Sequence, residues 1–253
     1  MNGRRPEQPG NWKMFISRML SLGLSREHLP IVRGANASSD LYHAALIRDL
    51  IKSIERNPFG LDISLADMEV VILDTETTGF RPEHGDEIIS IAAAKTACRK
   101  VTADVFSTYV KPSIQIPESI TALTGITQQE VALAPTLHEV MPDLLKFING
   151  RMIAGYHIAH DLAFLNTFLW KHHRTGMSHR LIELRKVMEA LWPGHLFRSL
   201  DDVLSFFSIE IKNRHTALGD VKMTELVWHC ILEECERQRI YTLEDLYVRM
   251  SNR

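Results

Sequence analysis

Cysteine is scarce: the 253-residue chain has three, Cys98, Cys230 and Cys235, and no two stand in a CxxC arrangement. An odd, sparse set excludes a disulfide framework and suits a reducing compartment. Long apolar runs are missing too. No stretch approaches the roughly 20 uninterrupted apolar residues that span a bilayer, so no membrane partner is expected. The N-terminal MNGRRPEQPGNWKMF carries two arginines with no apolar h-region behind them, and the chain reads as cytoplasmic. An excess of either charge sign is almost absent, with 29 Lys and Arg against 31 Asp and Glu and a formal net charge of −2. A protein that coats long nucleic-acid tracts needs a basic stripe, so that class is excluded. A protein that grips only a strand end is not, because bound metal ions can supply the positive charge. No internal repeat or low-complexity tract is apparent.

What is present is ordinary globular material, 45% apolar and 24% charged, enough to bury a core without staples. Residues 1–66 read as a small helical N-terminal appendage. Trp12, Phe15, Ile16, Met19 and Leu20 recur at helical spacing up to Gly23. A second helix is expected from about Ser39, with Leu41, Ala45, Leu46, Ile47, Leu50, Ile51 and Ile54 on its apolar side. Asn57-Pro58-Phe59-Gly60 should stop it. No chemistry is visible in this region, which suits a docking or capping element.

The texture changes at Met68. Val70-Val71-Ile72-Leu73 is an unbroken β-rich run, as a central strand buried on both faces requires. Strands are expected over Glu87–Ala94, Val105–Val110 and Met152–Tyr156. Helices are expected over Pro117–Leu123, from Thr127, over Thr136–Ile148, Asp161–Trp170, Leu184–Leu191, Leu200–Phe207 and Ala217–Glu234. Thr127 with Glu130, and Thr136 with Glu139, fit the capping box, in which orphan helix amines are satisfied reciprocally. The order of strands, strand–helix alternation and helices predicts an α/β mixed sheet flanked by helices.

Chemistry concentrates in Asp74-Thr75-Glu76-Thr77-Thr78-Gly79 at the end of the first strand. Side chains two apart on a strand share a face, so Asp74 and Glu76 point the same way. Paired carboxylates repel each other and lose hydration, and a divalent cation resolves the conflict. Asp161 opens a helix after the strand at 152–156, where a first-turn acid is favoured by the dipole in any case. His215 stands before a helix that Thr216 would open, with Asp220 one turn inside it. By itself the spacing of His215 and Asp220 says little.

Three segments together carry a resemblance: DTETTG at 74–79, GYHIAHDLAFLN at 155–166 and RHTALGDVKMTELVW at 214–228. They resemble the three motifs of the DEDDh (DnaQ-like) 3′–5′ exonucleases, a family that includes proofreading subunits of bacterial DNA polymerase III. DEIISIAAAKT, YVKPSIQIPESITALTGIT and LRKVMEALWPGHLFRSLDDVLSFFSIE resemble the family's intervening segments. The similarity runs from about Met68 to about Glu234. It implies a ribonuclease H-like five-stranded mixed sheet and divides the chain into the appendage (1–66), an exonuclease domain (67–235) and a C-terminal helical tail (236–253). Asp74, Glu76, Asp161 and Asp220 fall on the family's metal-binding acids and His215 on its histidine. Where the family carries Asn and Phe in its second motif, this chain has His157 and His160, residues expected to shape the floor of the site. Glu183 replaces a common Asp.

The resemblance implies two divalent cations, Mg²⁺ or Mn²⁺. Asp74, Glu76 and Asp220 would hold the first, Asp74 would bridge to the second beside Asp161, and His215 would be the general base. It implies that Thr75 and Thr77 contact the terminal nucleotide and that Leu123, Thr124 and Ile126 pack on its base. Phe164 could stack beneath that base or belong to the core. His172, His173 and His179 lie among basic residues, suited to phosphates or to a solvated surface, without the pattern of a zinc site. The expected reaction is stepwise removal of nucleoside 5′-monophosphates from single-stranded or frayed 3′ ends, DNA favoured over RNA, in proofreading or repair. An exoribonuclease, a nucleotide phosphatase and a partner-binding module with a vestigial site are the alternatives. The appendage would contact a polymerase or repair partner.

Overall fold

The computed structural model describes residues 45–52, 60–97 and 100–251. The expected helix at 12–20, Cys98, and the start and stop of the second helix lie outside these residues. Residues Tyr42–Arg253 form one compact unit.

A five-stranded sheet organises that unit, with strands β1 (Val70–Thr77), β2 (Ile88–Ala97), β3 (Lys100–Tyr109), β4 (Met152–Gly155) and β5 (Leu181–Glu183). Their order is β3-β2-β1-β4-β5. The β1–β2 and β2–β3 pairs are antiparallel, and β1–β4 and β4–β5 are parallel. The helices are α1 (Glu118–Thr124), α2 (Gln128–Val131), α3 (Leu137–Ile148), α4 (Ile158–His173), α5 (Leu184–Leu191), α6 (Leu200–Phe206), α7 (Ala217–Arg237) and α8 (Leu243–Ser251). This is the ribonuclease H-like mixed sheet with flanking helices that the resemblance implies.

The unbroken run at 70–73 is explained by two cores, one on each side of β1. Val70 and Ile72 face a cluster with Ala92, Met152 and Ile182 of the sheet and Leu184, Val203, Val221 and Trp228 of α5, α6 and α7. Val71 and Leu73 face the opposite cluster, with Leu144 and Ile148 of α3 and Leu162, Leu165 and Leu169 of α4. Residues 45–52 are helical. Ile47 and Ile51 are buried in this second cluster, so a helix that the sequence groups with an appendage contributes to the domain core. The C-terminal segment is likewise built in. Leu243 and Leu246 of α8 belong to the first cluster. Ser64 and Thr242 form an isolated antiparallel bridge, and Leu65 N donates to Tyr241 O at 2.8 Å.

Most expected elements appear, with shifted ends. β3 begins at Lys100 rather than Val105. α4 begins at Ile158, three residues before Asp161, because His157 adopts a left-handed conformation (φ 60°) that turns the chain directly from strand into helix. The three-residue β5 is too short to leave an alternating pattern. Among the described residues no helix is long and apolar enough to cross a membrane.

Candidate active site

Alternation along β1 distributes the acidic motif over the two faces of the sheet. Asp74 and Glu76 continue the face of Val70 and Ile72, toward α7. Thr75 continues the face of Val71 and Leu73, toward α4. The β1–β2 register shifts between Glu76 and Thr77, so the irregularity lies just past the two carboxylates. Gly155, at the end of β4, allows close approach of this edge: a Cβ there would lie 2.8 Å from the Leu73 carbonyl oxygen.

From the α4 side comes Asp161, which is buried. Its Oδ1 accepts the Thr75 backbone N–H at 2.8 Å and the Thr75 hydroxyl at 2.7 Å. Both Thr75 donors therefore orient an acidic side chain. The start of α4 is held from below by Glu183, whose Oε1 accepts the backbone N–H of His157 at 2.9 Å and of Arg185 at 3.2 Å. Glu183 thus acts as the N-cap of α5 and ties two helix starts together.

From the other side, α7 carries Asp220 one turn beyond its N-cap, Thr216. The Thr216 hydroxyl accepts Gly219 N–H at 3.1 Å and donates to Asn213 O at 2.7 Å, pinning the preceding loop to the helix. Asn213 and His215 both have positive φ, 50° and 61°. Gly219 makes the fit possible, since a Cβ would stand 2.1 Å from the Asn213 carbonyl oxygen. One carboxylate oxygen from each of Asp74, Glu76 and Asp220 lies within 4.8 Å of the others. Asp220 Oδ2 accepts from Arg214 Nη1, and Arg214 Nε donates to Asp201 Oδ1 at 2.6 Å. Asp220 Oδ1 is buried with no hydrogen-bond partner among the described residues. His215 stands half-buried beside Asp220, close enough that its charge and backbone N–H favour the carboxylate form.

Four acids in so dry a place resist ionisation. Burial, then Asp161, Asp220 and Glu76, push the Asp74 carboxyl well above the usual range, opposed by Arg214. Burial and Asp220 push Glu76 up to about 7. Burial raises Asp161 to about 7 against the Thr75 hydrogen bonds, and raises Asp220 against Arg214 and His215. The donor set suits a hard divalent cation: three converging carboxylates, one with an oxygen that no described residue satisfies. Asp74, Glu76 and Asp220 would hold it. Asp161 is outside that trio.

The expected base-contacting residues separate by burial. Leu123 is 48% exposed, whereas Ile126 is in a small core with Ile89 and Val131. Thr124 is buried, donating to Ile120 O at 2.9 Å and accepting Ile126 N–H at 3.1 Å. The Thr77 hydroxyl donates to Gly79 O at 2.6 Å. Phe164 is buried in the second core cluster, its ring centroid 5.0 Å from that of His160. His157 is exposed, with Nε2 3.4 Å from Arg185 Nη1. Phe80, unremarked in the sequence, is 78% exposed and lies 5.7 Å from the His160 ring. Its signal was an aromatic directly after Gly79 in a polar loop. Arg214 and Asp201 were also missed, because an ion pair between α6 and the loop before α7 leaves no local spacing. A groove of about 630 Å³ involving Pro82, Asn166, Trp170 and Arg174 runs along α4, and none of the four acids lines it.

Known proteins share this domain and this fold. The family model for the RNase T-type exonuclease domain matches residues 71–227. The DNA polymerase III epsilon subunit of Aquifex aeolicus is 32% identical over 171 residues, 68% of this chain and 84% of that one. A PolC-type DNA polymerase III of Clostridium perfringens is 31% identical over 72% of this chain, which spans 13% of that much longer protein. Among solved structures, exonuclease X in complex with 5′-overhanging duplex DNA superposes with TM-score 0.56 at 21% identity, covering 72% of this chain and 99% of that one. The nuclease domain of 3′hExo, a DEDDh member bound to rAMP, does so with TM-score 0.59 at 23% identity, covering 68% and 94%. By motifs, matched domain and shared fold, the chain belongs to the DEDDh (DnaQ-like) family of 3′–5′ exonucleases.

Proposed function

We propose that the protein removes nucleoside 5′-monophosphates one at a time from the 3′ end of DNA, using two divalent cations, Mg²⁺ or Mn²⁺. The observation that carries this reading is the convergence of Asp74, Glu76 and Asp220 within 4.8 Å, with the Asp220 Oδ1 atom left open. When bound, the cations supply charge stabilisation at the scissile phosphate and make water a stronger nucleophile. The remaining work belongs to the chain. Asp161, fixed by Thr75, orders the α4 side of the site. His215 takes the proton of the attacking water as the new P–O bond forms and the bond to the 3′ oxygen breaks. The leaving oxygen is protonated from solvent. Leu123 and Phe80, both exposed, offer apolar faces to a terminal base, which stacking accepts without regard to sequence.

DNA is favoured because the Aquifex relative, most of whose length this chain spans, is a DNA polymerase subunit. The same kinship supports a role in proofreading or repair, with residues 1–66 contacting a polymerase or repair partner. RNA is the second reading, supported by the rAMP in the 3′hExo structure. End-labelled single-stranded DNA and matched RNA, digested with Mg²⁺ or Mn²⁺ beside Asp74→Ala, test both. A one-nucleotide ladder from the 3′ end, stronger on DNA and lost in the variant, is expected. A stronger ladder on RNA would select the second reading, and no cleavage of either strand would sink both.

A further inference from the structure

The carboxylate cluster contains a cation of its own. Arg214 reaches two acids at once, with Nη1 on Asp220 and Nε 2.6 Å from Asp201 Oδ1. Its side chain is 20% exposed and that of Asp220 is 7% exposed, while Asp201 is 47% exposed in the first turn of α6. The fork is therefore anchored at the rim and extends inward. We propose that Arg214, tethered by Asp201, is the resident counter-ion of the carboxylate cluster and so sets how tightly that cluster takes a divalent cation. The inference rests on the cation-binding reading above.

The division of labour on Asp220 supports this. The guanidinium occupies Oδ2 and leaves Oδ1 without a partner, so arginine and a divalent ion need not compete for one atom. They do share one field. Without metal, the positive charge offsets the repulsion among Asp74, Glu76 and Asp220. With metal, the same charge opposes the ion through a few ångströms of poorly screening protein. The backbone enforces the placement: left-handed residues flank Arg214 on both sides, and the Thr216 hydroxyl holds Asn213 at 2.7 Å. Guanidinium geometry matters as well, because a planar fork serves two carboxylates at fixed angles and an ammonium does not.

Mn²⁺ titration calorimetry and metal-free thermal unfolding of the full chain test the proposal on the parent, Arg214→Gln and Arg214→Lys. Arg214→Gln should lower the metal-free Tm near neutral pH and tighten Mn²⁺ binding by about tenfold. Arg214→Lys, which returns the charge without the two-carboxylate fork, should bring both values only part of the way back toward the parent, whereas a purely steric role would give no such charge-linked recovery. Mn²⁺ binding by Arg214→Gln that equals or falls below the parent overturns the counter-ion. A parent that takes up no Mn²⁺ would instead sink the cation reading itself, and this inference with it.

Discussion

Asp74 occupies an uncomfortable position for a negative charge, with burial and three neighbouring acids against it and Arg214 in its favour. Asn at this position keeps the shape and removes the repulsion. Asp74→Asn should raise the metal-free Tm while reducing 3′-end hydrolysis by about 10³-fold or more, a trade of activity for stability. Differential scanning calorimetry beside a ladder assay checks both halves, and a Tm that falls would show the repulsion to be already relieved. His215 should behave differently. His215→Asn is expected to slow single-turnover cleavage by about 10²–10⁴-fold with Mn²⁺ affinity unchanged. A parallel loss of Mn²⁺ binding would make the imidazole part of the metal site. At the residue scale, Asp74, Glu76 and Asp220 are legible in the sequence through their motifs, and they converge in the fold. A neighbour from elsewhere in the chain leaves no local sign: Ile126 lies inside a small core, and the Thr75 donors are taken by Asp161.

Elements whose ends are set by their own residues could be read in advance. Thr127 and Glu130 cap α2 reciprocally, at 2.8 and 3.3 Å, and Glu139 accepts the Thr136 N–H at 2.8 Å at the start of α3. The starts of α4 and α7 depend on other parts of the chain. α4 is turned by His157 and held by Glu183, 26 residues away. α7 is locked to the loop before it through Gly219. Gly219→Ala would drive a methyl group into the Asn213 carbonyl oxygen, 2.1 Å from the ideal Cβ position. The loop must then shift, taking Arg214 and His215 with it. Urea unfolding should show a loss of about 1–3 kcal/mol, accompanied by reduced cleavage. Full stability in this variant would mean that the loop and α7 are not rigidly joined.

Over the whole molecule the acids couple stability to pH. Glu76 and Asp161 lie at about 7 in the fold against ordinary values of 4.5 and 3.8. At these two acids the native protein retains protons that the unfolded chain has already released, so their contribution to metal-free stability declines as pH rises from about 4 through about 7. The metal-free Tm should fall across that window, and saturating Mg²⁺ should flatten the fall by binding only the native state. Equal slopes with and without Mg²⁺ would disconnect these acids from cation binding. The sequence alone determined the acidic motif on the first strand, the central strand and most helices, because each depends on the order of residues along a short segment. Tertiary structure decided what depends on two faces of one strand meeting distant helices. Asp74 and Glu76 turn toward α7 and meet Asp220, while Thr75 turns toward α4 and meets Asp161. Arg214 and Asp201 share an ion pair between separate elements. Ile47 and Ile51 belong to the domain core, because an amphipathic helix carries an apolar face in its sequence but not the identity of the surface that buries it.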